Sequence, residues 1–368
     1  MRLGRMLRVA AACLAAPAAR ALAPAPRAGA ACAVRRTASA WRGAPRAGSL
    51  ARRCGPLAAA AGEPDRPPTL PAGSFRPKQS LGQNYLSDAN YAAKIVNALA
   101  PADAGEGGAR VVELGPGLGA LTRLLLRDYP DMMCVELDGR AVTLLGERYP
   151  GLTVVEGDVL AVDYTEVARL RGGPLAIIGN LPYYITSQIL FTLCDHAAAV
   201  DAAAVTMQYE VAQRLVAAPR TKAYGVLSVV FQLYATPRIA FKIPNTAFYP
   251  VPKVTSALVT LDFPEQPRAF PVDARKLRTV LTTAFRQRRK MLRQSLKSVL
   301  NGQPCPEAYA TRRPEELAPE EFLDLTGLLF GFLDEPAPPP PGTAIWRTQK
   351  LRGAKDFKEK EPREPLEE

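Results

Sequence analysis

The sequence predicts an α/β chain built on a parallel sheet and followed by a small all-helical domain. Three observations carry that reading. Four apolar runs, at 110–114, 132–135, 153–155 and 174–178, each stop at a glycine or an acid and give way to a segment of helical period. Runs without polar alternation suit strands covered on both faces, and ligands of such sheets sit at the carboxyl ends of the strands. Beyond Pro264 the strand-like runs largely give way, and the pattern reads as helices at 272–285, 292–300 and 319–332. Composition shifts near residues 70 and 334, which bounds an α/β domain of about 75–263 and a helical domain of about 264–333.

Residues 1–70 hold twelve Arg, no Lys and only Glu63 and Asp65 as acids, in a background of Ala and Pro. That is the composition of a transit peptide. The apolar patch at 9–16 is cut by Pro17 and flanked by Arg8 and Arg20. It is too short to span a bilayer but would serve as the core of a signal in a two-part leader. A structureless Ala/Pro tail is the plainer alternative. The leader also holds most of the charge. Of the formal +12, residues 71–368 keep only +2, from thirty-five basic and thirty-three acidic side chains. The high pI therefore describes an address, and any nucleic-acid argument must rest on local clusters.

Residues 75–86, Phe-Arg-Pro-Lys-Gln-Ser-Leu-Gly-Gln-Asn-Tyr-Leu, form a basic, amide-rich approach to a helix that Ser87 or Asp88 would cap, with Ile95, Val96 and Leu99 on its apolar face. The first strand then runs into Gly115, Gly117 and Gly119. Such a turn lets backbone approach a ligand and aims helix N-terminal amides at it. Its spacing is G-x-G-x-G, not the G-x-G-x-x-G of dinucleotide binders. The turn alone serves plain packing equally well. The second strand ends at Glu136-Leu-Asp138, where an acid can accept both hydroxyls of a ribose. The third ends at Glu156-Gly-Asp158, placing an acid where an adenine amine could donate.

The fourth run ends in Gly179-Asn180-Leu181-Pro182-Tyr183-Tyr184. Pro182 fixes its own φ and biases Leu181 towards an extended backbone. Asn180 can then present its side-chain carbonyl beside the carbonyl of Leu181, with the Tyr183 ring alongside. Two acceptors and a flat ring suit a planar heterocycle with an exocyclic amine. An ordinary strand-to-helix turn uses the same residue types, so the weight lies in the combination: glycine loop, two acids and Asn-Leu-Pro-Tyr on four successive strand ends. That combination describes an adenosine-cofactor pocket beside a pocket for a second amine.

Other residue types exclude chemistries. Cys13, Cys32 and Cys54 lie in the leader, and Cys134, Cys194 and Cys305 are scattered without C-x-x-C spacing, so no zinc site or disulfide framework is signalled. His196 is the only histidine, which rules out a His-based metal cage and disfavours a Ser-His-Asp triad. No metal is expected. The run Arg286-Gln-Arg288-Arg289-Lys290-Met-Leu-Arg293 contains no acid and reads as an RNA-backbone footprint, with a solvated face as the alternative. After Asp334 a Pro-rich, then mixed-charge stretch reads as a disordered tail over 334–368.

Taken in order, several motifs resemble the S-adenosylmethionine-dependent rRNA adenine N6,N6-dimethyltransferases, whose members modify small-subunit rRNA and whose antibiotic-resistance cousins modify large-subunit rRNA. The motifs are Ser80-Leu-Gly-Gln-Asn84-Tyr-Leu86, Glu113-Leu-Gly115-Pro-Gly117-Leu-Gly119, Val135-Glu136-Leu-Asp138, Gly157-Asp158, Gly179-Asn-Leu-Pro-Tyr183, Met207-Gln-Tyr-Glu-Val-Ala-Gln-Arg214, Tyr224-Gly-Val-Leu-Ser228 and Phe248-Tyr-Pro-Val-Pro-Lys-Val-Thr-Ser256. Together they span about 75–332. The resemblance implies a Rossmann-like methyltransferase fold with S-adenosyl-L-methionine as cofactor. Asn84 and Leu86 would hold its methionine end, Gly115 and Gly117 the loop, Glu136 the ribose and Asp158 the adenine. Asn180, Leu181, Pro182 and Tyr183 would hold the target amine, with Tyr183 and Phe248 as the stacking rings. Phe248 alone also reads as a loop anchor beside Pro250 and Pro252. Tyr184 and Thr186 depart from the Asn and Ser common in that family, which touches fine substrate preference.

The implied function is dimethylation of adjacent adenosines near the 3′ end of organellar small-subunit rRNA, by a monomer without membrane contact. The partner is that rRNA or the pre-ribosomal small subunit. The rival is a non-catalytic transcription or ribosome-assembly factor on the same fold, against which the intact Asn-Leu-Pro-Tyr and cofactor acids argue. An NAD-dependent oxidoreductase lacks both its fingerprint and a proton donor. The leader suits a plastid or a mitochondrion, with the plastid favoured by the signal-like patch.

Overall fold

The computed structural model describes residues 82–346; residues 1–81, which hold the leader and the start of the 75–86 approach, and residues 347–368 lie outside the described residues. Seven strands form one sheet in the order β4-β3-β2-β5-β6-β9-β7. They are β2 (Val111–Leu114), β3 (Met133–Glu136), β4 (Thr153–Glu156), β5 (Leu175–Asn180), β6 (Val200–Gln208), β7 (Thr236–Ile243) and β9 (Ser256–Asp262). The first five pair parallel, and β9 joins β6 and β7 antiparallel. A two-strand ribbon of β1 (Tyr85–Leu86) and β8 (Phe248–Tyr249) stands apart. This is the Rossmann-like class expected, with a parallel core and helices on its faces.

β2, β3 and most of β5 are buried at every position, as continuous apolar runs require. β7 alternates, exposes Arg238 and Lys242, and carries Pro237. It is the edge strand, where a proline costs no ladder bond and charges block further pairing. The chain leaves β2 towards β3 on one side and reaches β5 on the other, which opens a crevice at their carboxyl ends.

The helices of this domain are α1 (Ala89–Asn97), which precedes β2, and α2 (Thr122–Asp128), α3 (Gly139–Arg148), α4 (Tyr164–Leu170), α5 (Thr186–Asp195), α6 (Tyr209–Leu215) and α7 (Val226–Tyr234), which connect the strands. Asp88, not Ser87, caps α1, accepting from Asn90 N and Tyr91 N at 2.8 and 3.1 Å. Ser87 instead ties the chain to Ala247 O, through both its N–H and its hydroxyl. Asp138 and Asp163 cap α3 and α4 in the same manner.

The helical segment comprises α8 (Ala274–Arg286), α9 (Leu292–Ser295), α10 (Lys297–Leu300), α11 (Glu307–Ala310) and α12 (Pro319–Phe330). The single helix expected over 292–300 is broken at Leu296. Leu277, Val280, Leu281 and Phe322 belong to the same buried cluster as Val205 and Phe231, so these helices extend the core of the sheet. Phe285 packs between Tyr224 and Phe322, with ring centroids 6.1 and 5.7 Å away, and Tyr224 donates its hydroxyl to Leu317 O at 2.8 Å.

One expectation is corrected here. The chain does not become structureless at 334. Ala337 pairs with Phe270, Gly342 N reaches Asp195 O, and Ile345 and Trp346 are buried. Asp195 ends α5 inside the protein, and its Oδ1 accepts from Ile345 N and Trp346 N at 3.1 Å each. The Trp346 indole stacks on Phe191 and donates to the Tyr234 hydroxyl at 2.9 Å. The prolines hid this strap, because composition reports the mean character of a stretch and not two buried residues at its far end. Trp346→Ala should lower stability by about 3 kcal/mol or more, as loss of a large buried side chain does. A thermal melt beside the wild type checks this, and cofactor affinity should not change.

Candidate active site

The carboxyl ends of β2, β3, β4 and β5 open into one cavity of about 500 Å³, a volume typical of small-molecule sites. Its lining contains every pocket residue expected from sequence: Asn84, Leu86, Gly115, Gly117, Glu136, Asp158, Asn180, Leu181, Pro182, Tyr183 and Phe248.

The glycine turn forms the floor. Gly115 (φ +66°) has nothing within 4 Å of where a Cβ would stand, so its backbone faces open space. Gly117 (φ +56°) has the Tyr85 ring where its Cβ would be, 2.9 Å from Cε1. Both need a conformation that only glycine takes at little cost. Glu136 is buried and ties this floor to its own strand end. Its Oε2 accepts from Gly117 N and its Oε1 from Asp138 N, each at 2.9 Å. Burial raises its pKa, and the backbone donors of Asp138, Gly117 and Leu137 pull the other way. With backbone donors from Gly117, Asp138 and Leu137, about one of its four acceptor sites stays available to a ribose hydroxyl. Asp158 lies across the cavity; its Oδ1 holds Leu160 N at 2.9 Å.

Asn180 ends β5 with its amide held at both ends. Nδ2 donates to Asn84 O at 2.8 Å, and Oδ1 accepts from the Thr206 hydroxyl at 2.6 Å. A backbone carbonyl only accepts, so the amide nitrogen must face Asn84, which fixes the orientation. Asn84 belongs to an arm, residues 82–87, that closes one side of the cavity. The arm is secured by the β1–β8 ribbon and by Gln83 Nε2 on Asp138 Oδ2 at 3.1 Å. A Cβ at Gly82 would stand 2.8 Å from Cδ1 of the Tyr184 ring, so the arm lies close against that ring.

The aromatic rings divide their tasks. Tyr183 bonds Ser256 Oγ through its hydroxyl at 2.6 Å, which fixes the ring's tilt. Phe248, expected as a stacking ring, is only 1% exposed, so it forms cavity wall and anchors the ribbon. The open aromatic faces at the mouth belong to Tyr184 and Tyr249, 58% and 51% exposed. Sequence reasoning missed Tyr249 as a mouth residue, although it follows Phe248 directly. It also missed Thr206, whose signal was a lone hydroxyl inside the Ala/Val-rich run 202–207.

The basic run lies outside this lining. Arg286, Arg289, Lys290 and Arg293 are exposed. Arg288 is a correction. Its guanidinium bonds Glu315 Oε2, Thr221 O and Lys222 O, tying the end of α8 to the loop before α7. Those donors are committed within the fold and are unavailable to a phosphate.

Residues 74–321 match the family model of the ribosomal RNA adenine dimethylases. The chain belongs to that family. It is 44% identical over 263 residues to the ribosomal RNA small subunit methyltransferase A of Salinibacter ruber, covering 71% of this chain and 87% of that one. The namesake of Magnetococcus marinus is 45% identical over 234 residues, 63% and 81% of the two chains. A dimethyladenosine transferase from Plasmodium falciparum shares the fold, with a TM-score of 0.54 and 24% identity over 65% of this chain and 95% of its own. Members of the family take their methyl group from S-adenosylmethionine. The cavity fits that donor: open backbone at Gly115, a buried acid at Glu136 placed for a ribose hydroxyl, and Asp158 placed for an amine.

Glu113 is the buried acid under this floor. Its Oε2 accepts from Thr122 Oγ1 at 2.7 Å, and burial pushes its pKa up to about 7. Between the ordinary value of 4.5 and about 7 the folded chain keeps a proton that the unfolded chain has released. Stability of the unliganded protein therefore falls as pH rises through that window. Glu113→Gln should flatten the fall between about pH 5 and 8, a difference of up to about 3 kcal/mol. Denaturant titrations at several pH values read it directly.

Proposed function

We propose that this family member dimethylates the exocyclic amines of adjacent adenosines near the 3′ end of organellar small-subunit rRNA, with a plastid as the favoured compartment, and so contributes to ribosome biogenesis. The observation that carries the reading is Asn180-Leu181-Pro182-Tyr183 closing the same cavity that Glu136 and Asp158 line. The substrate class follows from relatives named as small-subunit rRNA methyltransferases. The compartment rests on the acid-poor, Arg-rich leader alone.

Bound in this cavity, S-adenosylmethionine supplies an electrophilic methyl group. The chain's own residues would hold its nucleoside through Glu136 and Asp158 and its amino-acid end beside Asn84 and Leu86. The adenine amine is a poor nucleophile because its lone pair is delocalised into the ring. Asn180 Oδ1 and the Leu181 carbonyl would accept its two N–H groups and favour a pyramidal nitrogen with the lone pair aimed at the methyl carbon. Tyr183 would lie along one face of the base. Positioning of this kind can lower a barrier by roughly 7–11 kcal/mol, and no strong base is required before attack. Extruding the base costs a few kcal/mol, against about 1–3 kcal/mol returned by each aromatic stack. Tyr184 and Tyr249 offer the exposed rings for that return. Arg286, Arg289, Lys290 and Arg293 form an exposed basic face for the rRNA backbone. The enzyme is expected to act as a monomer on the pre-ribosomal small subunit.

Asn180→Ala deletes the acceptor and should slow transfer roughly a hundredfold at saturation, as loss of one preorganised polar contact does, with cofactor affinity nearly kept. Glu136→Ala should do the reverse, weakening the cofactor with a milder loss of rate. Single-turnover methylation of small-subunit particles, with cofactor affinity measured calorimetrically, separates the two. A wild-type rate in Asn180→Ala would remove the site assignment.

The compartment is tested separately. Residues 1–75 fused to a fluorescent protein should direct it to plastids. Mitochondrial fluorescence would move the reading to that organelle, and cytosolic fluorescence would refute organelle import.

A further inference from the structure

Thr206 sits in the middle of the sheet yet spends its hydroxyl on the site. It lies on β6 directly across from Asn180 in the parallel register. Register neighbours on adjacent strands project to the same side of a sheet, so the hydroxyl arrives beside the amide, 2.6 Å from Oδ1. On the other flank its register partner is Leu258 of β9. Val205 and Met207 precede and follow it; these two and Leu258 are buried, and Asn180 alone of the four neighbours is partly exposed. Thr206 is itself fully buried and is absent from the cavity lining.

Nothing in the fold asks for a hydroxyl here. A β-branched residue of this size suits the strand, and valine would fill the same space without a polar group to desolvate. The hydroxyl has one hydrogen-bond partner among the described residues, and that partner is Asn180. We propose that Thr206 is a positioning residue for methyl transfer. It anchors the Asn180 amide to the rigid sheet, so that Oδ1 gives one lone pair to Thr206 and presents the other to the target amine.

The second anchor is Asn84 O, at 2.8 Å from Nδ2. It belongs to the arm, which rests on two ribbon pairs, the backbone bond of Ser87 N to Ala247 O and a few side-chain bonds. β6 is paired along its length on both sides. Thr206 is thus the end of the pair fixed in the sheet, and Asn84 the end held by the arm. Without the fixed end the amide follows the arm, and its acceptor leaves the line to the amine. The inference rests on Asn180 being the amine's acceptor.

The test uses the full chain in single-turnover methylation of small-subunit particles at saturating S-adenosylmethionine. Thr206→Val should slow transfer roughly three- to tenfold, the effect of one net hydrogen bond, with cofactor affinity and melting temperature close to wild type. Thr206→Ser, which restores the hydroxyl, should recover most of the rate. In an Asn180→Ala background Thr206→Val should have no further effect, because the residue it acts through is gone. If Thr206→Val fails to fold, Thr206→Ala takes its place in the same cycle. A wild-type rate for the valine variant beside a slow Asn180→Ala would overturn this proposal and leave the site reading standing. So would a valine effect that persists in the Asn180→Ala background, since that marks a purely structural role. A wild-type rate for Asn180→Ala itself would remove the site reading, and this inference with it.

Discussion

The rest of the structure depends on a burial constraint. β2, β3 and most of β5 are covered on both faces, and a polar side chain inside such strands costs several kcal/mol unless it is hydrogen-bonded. Polar chemistry is therefore pushed to the strand ends. The parallel register then collects those ends in one place: Leu114 beside Val135 and Gly179, Glu136 beside Glu156, Asn180 beside Thr206. Two polar side chains kept inside the sheet obey the same rule. Glu113 bonds Thr122, and Thr206 bonds Asn180.

A second layer of order comes from outside the sheet. The arm at 82–87 has no strand of its own in the main sheet. It is placed by Tyr85 and Leu86 against Tyr249 and Phe248, by Gln83 on Asp138, and by Ser87 on Ala247. Asp138 also caps α3 and binds Arg140 through both oxygens. One buried carboxylate thus joins the arm, a crossover helix and the end of the strand that bears Glu136. Arm and cofactor acids share a support, which explains how residues separated by fifty positions line one cavity.

Much of this was legible in the sequence because it obeys local rules. Apolar runs closed by glycine or acid gave β2 to β5, and Asp88 was an available cap. The pocket residues were legible because each sits at the end of a readable strand. What stayed hidden depends on register or on distant partners. Thr206 becomes part of the site only when β6 pairs with β5 at one register, and a shift of one residue would turn its hydroxyl away. Arg288 looked like its basic neighbours until Glu315 and two loop carbonyls took its donors. Phe248 became the buried anchor and Tyr249 the mouth ring because the ribbon's pleat turns one ring inward and the next outward. Trp346 was masked by prolines, although a lone tryptophan past a Pro-rich stretch is itself unusual for a solvated tail.

The same network explains why the residue at 180 is an amide and not a carboxylate. An aspartate would keep the bond from Thr206 and still accept from an amine. It would also point a charged oxygen at the Asn84 carbonyl, 2.8 Å away, where the present Nδ2 donates. Two acceptors at that distance repel, and the charge would be partly buried with no cation among the cavity-lining residues. The arm would have to lift or the carboxyl would have to keep its proton. A protonated carboxyl donates through one oxygen and leaves the other as acceptor, which restores asparagine's pattern only at low pH. Asparagine supplies one donor and one acceptor at every pH, so the arm stays closed while the acceptor faces the amine. The acceptor-only carbonyl of Asn84 therefore selects the chemistry of the side chain that faces the target.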